Sequence, residues 1–370
     1  MESIFMYEEQ DSTIQINIDE KQVSIPYSEI SVERQKITDG VLEFIAQNID
    51  FDFGTEFTNT VEPAEIIDLD QNSPINIVNF EKVNDARRLN KFFESVNYIL
   101  PDEGKFIGCV ETIEKRKEVI QKEFKKFWKV AYWSDFFIHR LLPKLPIIRN
   151  FYFNITKGKN RAISKAEVLG RLISCGFEIK DYKCVNNLLY YVAHRKENPT
   201  FDKNPTYGPI VNLKRVGYQS KLIDVYKIRT MHPYSEYLQK QLYETNGTKD
   251  GDKIRNDFRV TSWGRFLRKF WLDELPMLIN LIKGDIKLVG VRPLSRHKFK
   301  TYPSDLQLKR VKTKPGLIPP YYADLPETPE EFFNAERKYI EEYNKHPIIT
   351  DFKYFFKAGY NILFKKARSQ

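Results

Sequence analysis

The sequence predicts an α/β protein in two parts, an N-terminal α/β domain over residues 1–200 and a compact α+β module over residues 201–370. Three observations predict this. The chain has 370 residues, more than one core usually holds when a domain takes ~150 residues. From Ile75 an apolar run, a helical stretch and a second strand-like run follow in order. Between Glu197 and Pro209 the segment ENPTFDKNPTYGP gathers Pro, Asn and Gly, the residues of turns and loops, and the boundary is expected there.

Taken in order, residues 1 to about 70 are acidic and irregularly patterned, with Thr13 to Ile18 alternating as a short strand would. INIVNF then reads as a strand, Asp85 to Leu100 as a helix, PDEG as a turn and KFIGCVET as a second strand. Ser164 opens another helix, with Glu167 at capping-box spacing and an end near Cys175 and Gly176. FEIKDYKCVNNLLYYVAHR reads as a strand hairpin. In FWLDELPMLINLI, Asp273 falls at an expected N-cap and Glu274 in the first turn, where Pro276 is tolerated because first-turn amides lack intrahelical partners. Leu275, Leu278, Ile279 and Ile282 recur at helical spacing, which predicts an inward face that holds the helix start rigid. Gly264, Gly284 and Gly290 read as backbone turns.

Composition bounds the function. With 41% hydrophobic and 29% charged residues, the chain can build packed cores. Its net charge of +9 favours anionic partners, whether nucleic acid, phosphorylated substrates or an acidic membrane surface. No nucleic-acid-binding motif accompanies that charge. Cys109, Cys175 and Cys184 lie far apart without metal-ligand spacing, which suits a reducing cytoplasm. The N-terminus lacks a basic leader and an apolar core, so no signal peptide is expected. The most apolar stretch, Trp128 to Phe153, is broken by charges, so no membrane span is expected either.

The chemistry concentrates in GPIVNLKRVGYQSKLIDVYKIRTM and DFRVTSWGRFLRKFWLDELPMLINLIKGDIKLVGVRP. Acidic residues at a helix start often only complement its dipole. Asp273 and Glu274, however, stand between Arg265, Arg268 and Lys269 upstream and Lys283, Lys287 and Arg292 downstream. Two carboxylates among so many cations can hold Mg²⁺ and meet a diphosphate, while arginines grip phosphate oxygens.

These segments resemble the bacterial sugar transferase family, the monotopic polyprenyl-phosphate phosphoglycosyl transferases, and KPGLIPP and ERKYIEEYNKHPIITDFKYF extend the likeness towards the C-terminus. The resemblance implies transfer of a sugar-1-phosphate from a UDP-sugar to a polyprenyl phosphate, initiating a polysaccharide or glycoconjugate on the cytoplasmic membrane face. It makes Asp273 the nucleophile, forming a covalent phosphosugar as UMP leaves, and Glu274 the Mg²⁺ ligand. Arg268 and Arg292 would contact phosphate or nucleotide, as would Lys227 and Arg229 of YKIRTM, with Arg265 beside them. The N-terminal half resembles a degenerate class I methyltransferase, through its turn before KFIGCVET and its hairpin after Gly176-Phe177. It lacks a glycine-rich strand-to-helix turn, since Gly40 and Gly54 stand alone, and reads as a scaffold.

Family members carry a re-entrant hydrophobic helix before the first strand of the module, and here KCVNNLLYYVAHRKENPTFDKN occupies that place, too polar for the task. A non-catalytic nucleotide-sugar-binding or scaffold partner of a membrane glycosyl enzyme is therefore the alternative. Val291 replaces a proline, Met277 a glutamine, and Trp271 a small residue whose exchange would narrow the pocket. FKYFFKAGYNILFKK, from Phe352 to Lys366, mixes aromatics with lysines as an interfacial helix or a core-packed one would, and allows peripheral membrane contact.

Overall fold

The computed structural model describes residues 13–18, 21–26, 38–49, 54–69, 73–145, 148–200, 208–246, 248–249, 253–254 and 257–365. The chain is mixed α/β and divides into two compact units, one of Met1–Thr206 with His232–Asp257 and one of Tyr207–Met231 with Phe258–Gln370. The expected boundary after residue 200 adjoins residues 201–207, which lie outside the described residues.

In the first unit the order is β1 (Thr13–Ile18), β2 (Lys21–Pro26), α1 (Asp39–Asn48), β3 (Thr55–Thr58), α2 (Pro63–Asp68), β4 (Asn76–Lys82), α3 (Leu89–Ile99) and β5 (Lys105–Val110). There follow α4 (Ile113–Phe124), α5 (Trp128–Phe136), α6 (Arg149–Thr156), α7 (Lys165–Ser174), β6 (Phe177–Val185) and β7 (Leu188–Arg195). The strand, helix, strand pattern after Ile75 and the later hairpin are found where the sequence puts them. Strand order is β3-β4-β5-β7-β6. β3, β4 and β5 run parallel, whereas β7 is antiparallel to both neighbours. A strand flanked on both sides needs apolar residues on both faces, and Leu189 to Ala193 of β7 are all buried. These residues fall within the stretch that stands in place of a re-entrant helix. Phe92, Phe93, Phe106 and Tyr191 meet at tilted and edge-to-face angles in the core.

Helix α7 begins as its sequence dictates, with the Ser164 hydroxyl accepting from the Glu167 N–H at 3.2 Å. It stops at Gly176, whose φ of +88° suits glycine and whose Cβ would stand 2.0 Å from the Glu197 carbonyl oxygen. Glu167 also receives Arg140 and, at 2.8 Å, Arg171, so the helix start is an ion-paired anchor inside the unit.

The second unit opens with β8 (Ile210–Val216) and β9 (Leu222–Ile228), an antiparallel hairpin. After α8 (Gln239–Asn246), which belongs to the first unit, come α9 (Ser262–Lys269), α10 (Met277–Ile282) and β10 (Lys287–Val289). The unit closes with α11 (Arg296–Lys300), α12 (Ser304–Arg310), β11 (Gly316–Ile318), α13 (Tyr321–Asp324), α14 (Pro329–Lys345) and α15 (Pro347–Phe364). β10 and β11 pair in parallel. Val289, Leu306, Tyr321, Tyr322, Tyr339, Ile340 and Tyr354 build a core beneath them. Arg310 crosses this core to the buried Glu336 and also donates to the Arg292 carbonyl. α15 packs only one side: Tyr354 and Ala358 are buried while Ile348, Phe352, Phe356, Tyr360, Leu363 and Phe364 are exposed. Lys366, the end of the expected interfacial segment, lies outside the described residues. Among the described residues no helix is long and apolar enough to cross a membrane.

Two expectations about the acidic helix start are corrected. Asp273 is not an N-cap: Leu272–Glu274 form a separate 3-10 turn, and α10 begins after Pro276. Nor do Leu275, Leu278, Ile279 and Ile282 pack inward, since all four are exposed, Ile282 at 87%. The cause is Asn280, which is fully buried. Its amide donates to the Asp224 carbonyl at 2.6 Å and its oxygen accepts from the Tyr226 N–H at 3.1 Å. A satisfied buried amide fixes the rotation of the short helix, and Met277 shares its inward face.

Candidate active site

The hairpin supplies the floor of the site. Lys227, Val225 and Ile223 alternate onto one face of β9, and Arg215 of β8 pairs with Ile223, so Arg215 shares the Lys227 face. Lys227 donates to Glu274 Oε1 at 2.5 Å. Arg292, after β10, brings Nη2 to 3.9 Å from the same oxygen and donates from Nη1 to the Tyr321 hydroxyl at 3.2 Å. A cavity of about 200 Å³ opens here, lined by Arg215, Lys227, Glu274, Arg292, Lys298 and Tyr321 among others.

Asp273 lies beside Glu274 in the 3-10 turn and is only 9% exposed. Burial pushes its carboxyl above the ordinary aspartate range, Lys227 and Arg268 pull it back, and the neighbouring Glu274 adds to the rise. Burial likewise lowers the Lys227 ammonium, opposed chiefly by Glu274. The Arg268 guanidinium that acts on Asp273 is held by Thr230 at 2.9 Å. Helix α9 can approach Thr230 because residue 264 is glycine: a Cβ there would stand 2.1 Å from the Thr230 carbonyl oxygen. Gly264 is therefore a helix-packing residue, not a turn.

Of the cations that flank the acidic pair in sequence, the fold brings Arg292 and Arg268 to it. Lys283 donates to the Tyr226 hydroxyl and Lys287 to Asp351, while Arg265 and Lys269 are exposed on α9. Arg229 is buried and donates from Nε to the Gly208 carbonyl, closing the open end of the hairpin. Trp271 does not line the cavity: it adopts a left-handed turn, donates to the Tyr322 hydroxyl at 2.8 Å and stacks edge-on against that ring. Arg215, Lys298 and Tyr321 line the cavity without having been singled out from the sequence. The period-two alternation of the hairpin could have found Arg215, whereas Tyr321 and Lys298 reach the site only through tertiary packing.

The donor set can be weighed for a divalent ion. Asp273 and Glu274 are adjacent hard-oxygen donors, and among the described residues no cluster of three or more metal-ligating side chains occurs. Mg²⁺ commonly takes one or two carboxylates and completes its shell with water and substrate phosphate. The pair fits that pattern, with Glu274 now engaged by Lys227.

Residues 202–365 match the family model described as bacterial sugar transferase. The chain is 39% identical over 116 residues to an undecaprenyl-phosphate galactose phosphotransferase of Salmonella typhimurium, across 30% of this chain and 24% of that protein. It is 38% identical over 112 residues to a galactosyl transferase of Streptococcus agalactiae, across 30% of this chain and 25% of that one. A UDP-glucose:undecaprenyl-phosphate glucose-1-phosphate transferase of Klebsiella pneumoniae is 35% identical over 118 residues, 31% of this chain and 23% of the relative. The chain thus spans about a quarter of the length of these relatives.

Proposed function

We propose, from the match of residues 202–365 to the bacterial sugar transferase family model, that the protein moves a sugar-1-phosphate from a UDP-sugar to a polyprenyl phosphate through a covalent aspartyl phosphosugar. The observation that carries this reading is Glu274 on the wall of a cation-lined cavity, held by Lys227 at 2.5 Å, with Asp273 next to it in the same 3-10 turn. An Asp273 carboxylate oxygen forms a bond to the sugar-linked phosphorus, the bond from that phosphorus to the bridging oxygen breaks, and UMP leaves with the electron pair. An oxygen of the acceptor phosphate then attacks the same phosphorus and frees the carboxylate. Acyl phosphates are reactive enough to pass their group on.

The other residues bind and orient. Arg292 and Arg215 meet phosphate oxygens, Lys298 adds charge at the cavity rim, and Tyr321 fixes the Arg292 guanidinium. Lys227 and then Arg268 pull the Asp273 carboxyl towards its ionised form against its burial. Glu274, with Asp273 beside it, would hold Mg²⁺, which when bound offsets the charge of the diphosphate and the departing phosphate. Lys227 would orient Glu274 for that role. Arg229 and Arg265 have supporting places, the first bracing the hairpin and the second exposed on α9. Exposed aromatic and aliphatic side chains along α15 support peripheral contact with the membrane that holds the acceptor, on its cytoplasmic side.

The test is UMP release from a panel of UDP-sugars with Mg²⁺, with and without polyprenyl phosphate. One sugar should release UMP in the wild type, none in Asp273→Asn, and removal of Mg²⁺ by chelation should stop the reaction. Retained turnover in Asp273→Asn would refute the nucleophile. Saturable donor binding without release from any sugar would favour the non-catalytic alternative.

A further inference from the structure

The first unit carries a second apolar surface that the chemistry above does not use. Helix α5 continues through a wider turn to Leu141, and Phe127 just before it and Val130, Trp133, Phe137 and Leu141 along it are exposed, Phe127 at 68%. At the N-cap of α6 and along it, Ile148, Phe151 and Ile155 recur at helical spacing and are exposed, Phe151 at 67%. The inward side of this segment is held by polar anchors instead. Arg140 is buried against Glu167 and the Ala162 carbonyl, Arg116 holds Asp135 at 2.5 and 2.7 Å, and Tyr152 is buried facing His139. The usual arrangement of a helix in water is thus inverted, with ion pairs inside and apolar stripes outside.

Charge says what covers such a face. Lys125, Lys126 and Lys129 stand exposed around Phe127 and Val130, and Arg149, Lys157 and Lys159 stand exposed on and after α6. Asp135 is the one acidic residue between Phe124 and Lys159, and Arg116 neutralises it. Trp128, Tyr132 and Trp133 cluster along the same helix, with Lys117 over the Trp128 and Tyr132 rings. A protein partner would need a large acidic and apolar counterface. An anionic bilayer offers phosphate to the cations, acyl chains to the aliphatic stripes and its headgroup layer to the indoles.

We propose that the exposed apolar face formed by residues 127–141 and 148–155 of the first unit is a lipid-binding face that seats the protein on an anionic membrane. It belongs to the first unit, whereas the acidic pair and α15 belong to the second.

The test uses the full chain and vesicles of equal parts phosphatidylglycerol and phosphatidylcholine, with phosphatidylcholine alone for comparison. Partitioning of the wild type is measured beside the triple variant Phe127→Ser, Phe137→Ser, Phe151→Ser, beside Lys125→Glu with Lys126→Glu, and beside Phe352→Ser with Phe356→Ser in α15. The apolar variant should partition about tenfold more weakly or worse, and the charge variant should lose the preference for anionic vesicles. Undiminished partitioning of the apolar variant, or a loss of self-association in the ultracentrifuge with partitioning unchanged, would overturn the proposal, the latter assigning the face to a second copy of the chain. UMP release in detergent solution keeps the two readings apart. It should persist in the apolar variant, and its absence from the wild type would remove the enzymatic reading while the partitioning result stands.

Discussion

Asp273 combines two demands that oppose each other. Burial beside Glu274 raises its pKa, which makes the carboxylate a better nucleophile when ionised but less readily ionised. Lys227 and, less strongly, Arg268 pull it back towards the charged form. The acid limb of the transfer rate should therefore lie above the ordinary aspartate value of ~3.9, and Arg268→Met should move it higher still, read from initial rates of UMP release against pH. Stability follows with a worked sign. A carboxyl whose folded pKa is raised prefers its neutral form in the fold, so above that pKa its charge opposes folding, and the opposition is relieved as pH falls through it. Asp273→Asn should consequently melt no lower than the wild type at pH 7 while losing transfer. A clear fall in its melting temperature would show that the carboxylate serves the fold instead.

Elements place these residues, and they differ in how far the sequence discloses them. The β8–β9 hairpin could have been read from its local strand alternation, and its register follows from pairing. It assigns Arg215 to the Lys227 face, and Arg215→Met should raise KM for the donor about tenfold or more through loss of a charge-assisted contact, with kcat changed less. The acidic turn stood out in the sequence, but its geometry did not. Helical spacing of Leu275, Leu278, Ile279 and Ile282 gives the existence of an apolar stripe but not its direction, which Asn280 decides through bonds to a strand more than fifty residues earlier. Arg310 was invisible for the same reason, being an ordinary basic residue until the fold buries it against Glu336 and under the Arg292 carbonyl. Arg310→Met takes the ion-pair partner from the buried Glu336, so it should cost ~3–5 kcal/mol of stability and weaken donor binding by loosening Arg292. Denaturant unfolding and KM check the two parts.

At the scale of the whole chain, each unit has its own sheet or hairpin, its own aromatic core and its own buried ion pairing: Glu167 with Arg140 and Arg171 in one, Glu336 with Arg310 in the other. The loop-rich segment from Glu197 to Pro209 hinted at this division, but sequence patterns are local and could not show that residues 232–257 return to the first unit. Two self-contained cores predict two calorimetric transitions instead of one two-state event. Substitutions should then act on one transition each. Arg171→Met removes a partner from Glu167 and Asn90, and should lower one melting temperature. Arg310→Met should lower the other by on the order of 10 °C, given the cost above and ~2–4 °C per kcal/mol for units of this size. A single transition that both variants shift equally would mean that the units unfold as one. In that case the weaker donor binding expected for Arg310→Met could no longer be ascribed to the second unit alone, and the KM measured below the onset of unfolding would decide whether Arg292 was displaced.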